Sequence, residues 1–183
     1  SINLFQKQIE RINDRLESLT LEHKNLLERL DEIPGIDKRS AQSIIGEVGV
    51  TLDKFKTMSA FVSWAGLCPG NNESAGKRKS GRNAVRNHPF KTVLVQVAWA
   101  AIKKKGSYYK AKYYKLKARR GARKAIVAIA HRIAKAVYSI IKNGDDYKDL
   151  GEAYLNKPNK QRVLKALAKK ADQLGMKLVP CEN

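Results

Sequence analysis

Two hydroxyls, Ser74 and Ser80, stand in a short segment with Lys77, Arg78, Lys79 and Arg82, residue types that could serve covalent chemistry on a phosphodiester. A serine that attacks phosphorus must shed its proton, approach on adaptable backbone and find cations around the phosphorane as negative charge builds. The run Ser74-Ala75-Gly76-Lys77 offers a hydroxyl, a glycine and a lysine in that order. A Ser-x-Gly-Lys loop also serves simply as a phosphate contact or a flexible turn. The local pattern therefore leaves all three uses open.

Cations continue behind this loop. From Ser74 to Gly144 the chain carries 20 of its 37 Lys and Arg residues and no Asp or Glu, while the remainder holds the two signs in equal number. The net charge of +20 is thus concentrated in one stretch, and a one-signed field of that size calls for a polyanion. Tyr108, Tyr109, Tyr113 and Tyr114 alternate there with Lys110, Lys112, Lys115 and Lys117. Rings that stack on bases, interleaved with lysines that neutralise phosphates, make a nucleic-acid surface. The competing reading puts half the tyrosines in the core and leaves the lysines as a solvated face. A solvated helix, however, ordinarily mixes signs to gain i,i+4 pairs.

Other classes find little support. No apolar run approaches the roughly 20 residues that cross a bilayer, and no signal peptide opens the chain, so a cytoplasmic, nucleoid-associated protein without a membrane partner is expected. Cys68 and Cys181 are far apart and show no metal-ligand spacing, and no metal site is expected in this chain.

The elements that must position the loop read as helices. Ile2, Ile9, Leu16, His23 and Leu30 repeat as one seam position over residues 1–33, and Phe5, Ile12, Leu19, Leu26 and Ile33 as the other. A repeat of 3.5 residues sustained this long predicts a coiled coil, with a second copy or another helix as partner and His23 as a register-setting polar residue. Its abrupt start inside the heptads suggests a piece of a longer protein. Residues 33–48 place Ile33-Pro34-Gly35-Ile36 before a helix with Ala41, Ile44, Ile45 and Val48 on one face, similar to a helix-hairpin-helix module that holds a DNA phosphate. Asp37 replaces the usual second glycine and better suits a helix cap. Further helices are expected over 59–65, from Pro89 with a stripe of Val93, Val97, Ala100 and Ala101, from Ser107 to Arg119, over 122–142 and over 158–174, with breaks at Gly121 and Gly144. No period-2 strand of useful length is present. The fold class is all-α: a coiled-coil helix over 1–33, a helical domain over 34–156, and a C-terminal helix and tail over 157–183.

Several blocks in fixed order resemble a known family. Ile33-Pro-Gly-Ile36, Trp64-Ala-Gly-Leu67 with Pro69, Ser74-Ala-Gly-Lys77 with Gly81, Ala118-Arg-Arg-Gly121 with Lys124 to His131, and Tyr147-x-Asp-Leu-Gly151 with Tyr154 look like the C-terminal half of insertion-sequence transposases of the IS one-ten and IS eleven-eleven group, which includes Piv-type invertases. The resemblance implies a DNA transposase in which a RuvC-like domain with a DEDD magnesium site is joined through a coiled coil to a helical domain carrying a catalytic serine. It also implies guidance by a structured bridge RNA and homo-oligomeric assembly on element ends and target DNA. The nucleophile then falls on Ser74, with Ser80 as runner-up. Gly76, Lys77, Arg78, Lys79, Arg82, Arg86, Lys110, Lys112, Arg119, Arg120, Arg123 and Lys124 are the expected nucleic-acid contacts. Two departures matter. The magnesium carboxylates belong to a domain this sequence does not contain, so the chain alone is not expected to cut DNA, and Asn87-His88-Pro89-Phe90 interrupts the register after Gly81. The alternative is a non-catalytic helix-hairpin-helix module that only grips nucleic acid. A tyrosine recombinase using Tyr108 to Tyr114 lacks the Arg and His arrangement around a lone tyrosine.

Overall fold

The computed structural model describes residues 2–68, 72–74, 77–80, 88–156, 160–177 and 179, with 72–74, 77–80, 156 and 160–162 described by backbone alone. Helices α1 (Ile2–Thr20), α2 (Lys24–Asp31), α3 (Lys38–Val48) and α4 (Met58–Trp64) precede a ribbon of β1 (Asn72–Ser74) and β2 (Lys77–Ser80). Then come α5 (Pro89–Ala101), α6 (Tyr108–Arg120), α7 (Ala122–Tyr138), α8 (Ala153–Asn156) and α9 (Lys160–Gln173). The class is all-α as expected. Strands of three and four residues are too short to leave an alternating signature in the sequence.

Helix α7 is the centre of the body. Its Ile126, Ile129, Ile133 and Val137, and Ile140 beyond its end, are buried as the 3.6-residue spacing predicts. Helices α4, α5 and α6 pack on α7, α3 on α5, and α2 on α3. Helix α5 buries Phe90, Leu94, Val97, Ala98 and Ala101. The expected stripe is therefore corrected by part of a turn: Ala100 is exposed and Val93 only partly covered, because Phe90 and Leu94 are the larger apolar groups and set the inward face. Ser107 caps α6 by accepting from the Lys110 backbone N–H at 3.2 Å, and Gly121 breaks the chain before α7 with φ +80°. Helix α7 ends in a five-residue π turn, Ser139–Asn143, and a left-handed Gly144.

The predicted heptad helix behaves as two pieces. No residue of α1 is buried, and Phe5, Ile9, Ile12 and Leu19 are all more than half exposed. A 3-10 turn at Leu21–His23 follows, and beyond it Leu27, Leu30 and Ile33 enter the core. Arg29 fixes this second piece by donating to the Gly144 carbonyl, to the Asp145 carbonyl at 2.6 Å and to Asp146 Oδ1 at 3.1 Å. These carbonyls belong to the segment that follows the π turn's last residue, Asn143, so the guanidinium ties α2 to the exit of α7.

Candidate nucleic-acid interface and serine ribbon

The segment carrying the two serines leaves and re-enters the body at one aromatic cluster. Leu67, at its departure, is buried. At its return, His88 accepts a hydrogen bond from the Phe90 backbone N–H through Nδ1 at 3.2 Å and so caps α5, with Pro89 in the first turn. The His88 ring lies edge-on to Trp64 at 4.2 Å, and Trp64 in turn packs on Phe55, Phe61 and Phe90. Both ends of the serine segment therefore rest on rigid elements, which a reacting group needs for geometric accuracy.

Between those ends the antiparallel ribbon pairs Ser74 with Lys77, Glu73 with Arg78 and Asn72 with Ser80, with a register shift between Asn72 and Glu73. The backbone thus sets the proposed nucleophile opposite a lysine, and Ser80, at the end of β2, opposite Asn72 at the start of β1. Arg78 and Lys79 lie on β2. Gly76, Arg82 and Arg86 fall outside the described residues.

The remaining designated cations lie on two adjoining helices. Arg119, Arg120, Arg123 and Lys124 are exposed, whereas Lys110 and Lys112 are half-buried. Burial, and then the charges of Arg132, Lys115 and Arg119, hold the Lys112 ammonium below the usual lysine range. Lys112 shares the inward face of α6 with Tyr108, Tyr109, Tyr113 and Leu116, one turn apart, which is why it loses water where other lysines keep it. Among the described residues, no cation of α6 makes an ion pair with a carboxylate. The positive charge of this cluster is thus left without a carboxylate partner among the described residues. Sequence reasoning missed Arg132, whose guanidinium lies over the Tyr108 ring at 5.5 Å and joins this cluster from α7. Its position four residues before Ala136 on a strongly apolar helix carried no distinguishing signal.

The tyrosine row is a correction. Tyr108, Tyr109 and Tyr113 are buried and only Tyr114 is exposed, so α6 does not present four stacking rings. The motif Tyr147-x-Asp149-Leu-Gly151 explains part of this. Asp149 Oδ1 accepts from the Tyr108 and Gly151 backbone N–H groups, and the Tyr147 ring stacks on Tyr109 at 6.2 Å. A strap from beyond the C-terminal end of α7 thereby covers one flank of α6.

The turn at Ile33–Ile36 is packed rather than open. A Cβ on Gly35 would stand 2.4 Å from the Val97 carbonyl oxygen and 2.5 Å from the Ala101 nitrogen, so glycine is required there for α5 to pass. Asp37 accepts from the Ser40 backbone N–H at 2.8 Å and caps α3, as its identity suggests. A cavity of about 290 Å³ at the α1–α2 bend is lined by Glu17, Lys24, Leu27, Glu28 and Lys38 among others, and includes none of the designated residues.

Among the described residues no group of three or more His, Cys, Asp or Glu side chains could hold a metal ion, and no helix is long and apolar enough to cross a membrane. Residues 27–115, from α2 to the middle of α6 and including the ribbon, match the family model described as Transposase IS116/IS110/IS902 family. The match supports a transposase role and DNA as a partner. No curated protein matches the chain.

Proposed function

We propose that this chain is a DNA transposase of the IS116/IS110/IS902 family in which Ser74 is the nucleophile of strand cleavage, with a structured RNA as guide. The family match over residues 27–115 carries this reading, because it spans both the ribbon that sets Ser74 opposite Lys77 and the start of the unpaired cations of α6. In the reaction, Ser74 Oγ forms a bond to phosphorus and gives up its proton, while the bond from phosphorus to the leaving strand oxygen breaks and that oxygen takes up a proton. The protein is left joined to one strand through a phosphodiester, and reversal on a second strand completes exchange. Lys77, with Arg78, Lys79, Arg82 and Arg86, offers the positive charge that the five-coordinate phosphorus requires.

Magnesium, which the resemblance assigns to a RuvC-like domain, finds no fitting donor set among the described residues here, and no step assigned to this chain runs through it. The exposed seam of α1 supplies a homo-oligomeric contact, and the cations of α6 and α7 hold DNA and guide RNA in a cytoplasmic, nucleoid-associated complex. Ser74→Ala in the protein assembled with guide RNA and element ends retains binding and forms no covalent protein–DNA adduct on a denaturing gel. An undiminished adduct in that variant, or its loss in Ser80→Ala alone, overturns the assignment. Binding of either nucleic acid weakens steeply with salt, since each neutralised phosphate releases counterion.

A further inference from the structure

Trp99 and Tyr114 are two exposed rings that the functional reading leaves unused. Trp99 is 43% exposed, on the side of α5 opposite Phe90, Leu94 and Ala101, and Tyr114 is 54% exposed on α6. The buried ring of Tyr113 lies between them, edge-on to Trp99 at 5.9 Å and to Tyr114 at 5.3 Å. The two exposed rings therefore stand on one fixed aromatic base shared by two helices. Lys117 Nζ lies 5.8 Å from the centre of the Tyr114 ring, and Lys110 stands one turn before Tyr114 on the same face. Neither lysine makes an ion pair among the described residues.

An indole and a phenol open to solvent, bordered by unpaired ammonium groups, form a surface that holds a base by its face and the adjoining phosphate by its charge. The surrounding charge selects a polyanion over an ordinary protein surface. Stacking also requires bases outside a duplex. Duplex DNA keeps its bases in the stack, whereas folded RNA displays unpaired bases in loops and bulges without further cost. We propose that Trp99 and Tyr114 form a stacking platform for the unpaired bases of an RNA loop, with Lys110 and Lys117 on the flanking phosphates. This rests on the chain being a nucleic-acid binder and adds where, and in what conformation, the RNA is held.

The test uses the full chain, an oligouridylate and an oligodeoxythymidylate of about 12 nucleotides, an RNA hairpin with an unpaired loop, and blunt RNA and DNA duplexes of similar length. Oligouridylate quenches tryptophan emission, and Trp99→Phe removes most of that quench while keeping affinity within about threefold. Trp99→Ala and Tyr114→Ala each weaken oligouridylate about tenfold, leave both duplexes unchanged and leave the salt slope unchanged, because stacking releases no counterion. Equal losses on duplex and single strand, or no loss on oligouridylate, overturn the platform. Because stacking does not read the sugar, oligodeoxythymidylate shows the same losses; an RNA hairpin with an unpaired loop that binds no more tightly than the blunt RNA duplex overturns the assignment to an RNA loop. Failure of the unaltered chain to bind any of these probes overturns the nucleic-acid reading itself. Failure of the alanine effects alone, with salt-steep binding intact, removes only the platform.

Discussion

Asp149 Oδ1 accepts a hydrogen bond from the Tyr108 backbone N–H at 3.1 Å, so a carboxylate from beyond α7 caps the first turn of the cationic helix α6. The same oxygen accepts from the Gly151 N–H at 2.9 Å, which closes the strap on itself. A carboxylate at a helix N-terminus also meets the positive end of the helix dipole. Asp149→Ala is expected to lower the free energy of unfolding by about 1 kcal/mol. It should also loosen α6 enough to weaken nucleic-acid binding, although it removes a negative charge. Urea unfolding and a binding titration check both, and tighter binding in Asp149→Ala would show that the carboxylate acts only through its charge.

Gly35 and Gly49 share a positive φ, at +88° and +78°, but only Gly35 faces the backbone of α5. Gly49→Ala should cost about 1 kcal/mol from conformational strain alone. Gly35→Ala should cost about 3 kcal/mol or more, because the added carbon must also push α5 away. Comparing urea midpoints of the two variants checks this, and equal costs would mean that α5 does not approach the turn.

Burial pushes the Tyr147 hydroxyl up from its ordinary value of 10.0 to about 12, against a lowering hydrogen bond from Tyr109 and with help from the Asp149 charge. Burial pushes Tyr109 up further still, and Tyr147 adds to it. The native chain therefore keeps protons that the unfolded chain loses above about pH 10, and stability falls as pH rises from about 10 through about 12. Below pH 10 this contribution is fully present. Melting temperatures measured from neutral to strongly alkaline pH should show the fall, made shallower in Tyr147→Phe. An unchanged alkaline slope in that variant would place its hydroxyl in water.

The apolar seam of α1 contributes nothing to the body of the same chain, since none of its residues is buried. Ile9→Glu combined with Ile12→Glu should leave the melting temperature of the body within a few degrees and reduce the mass in solution by sedimentation, because buried charge is not tolerated at coiled-coil seam positions. An unchanged mass would remove α1 from the assembly contact.

Much of the secondary structure was legible because its causes are local. Ser107, Asp37 and Pro89 mark helix starts, Gly121 and Gly144 mark stops, and the isoleucines of α7 repeat at helical spacing. Each of these signals acts within one or two turns of chain. The charge imbalance was equally plain, since it is a property of composition. The seam over residues 1–33 was legible as a pattern but not as a destination: the same spacing stays in solvent along α1 and enters the core at Leu30 and Ile33, while Leu27, off the seam, is buried and the seam residue Leu26 is only partly covered.

The sequence by itself determined that this chain is helical, that its positive charge lies in one stretch, and that a serine stands at the head of it. Tertiary structure alone decided which rings of α6 face inward, because tyrosine and lysine both carry apolar stems with polar ends and so give helical periodicity no clear face to read. Contacts distant in sequence made that choice: α7 beneath α6, and the strap of Tyr147 and Asp149 beside it. They buried Tyr108, Tyr109 and Tyr113 and left Tyr114 to join Trp99 at the surface.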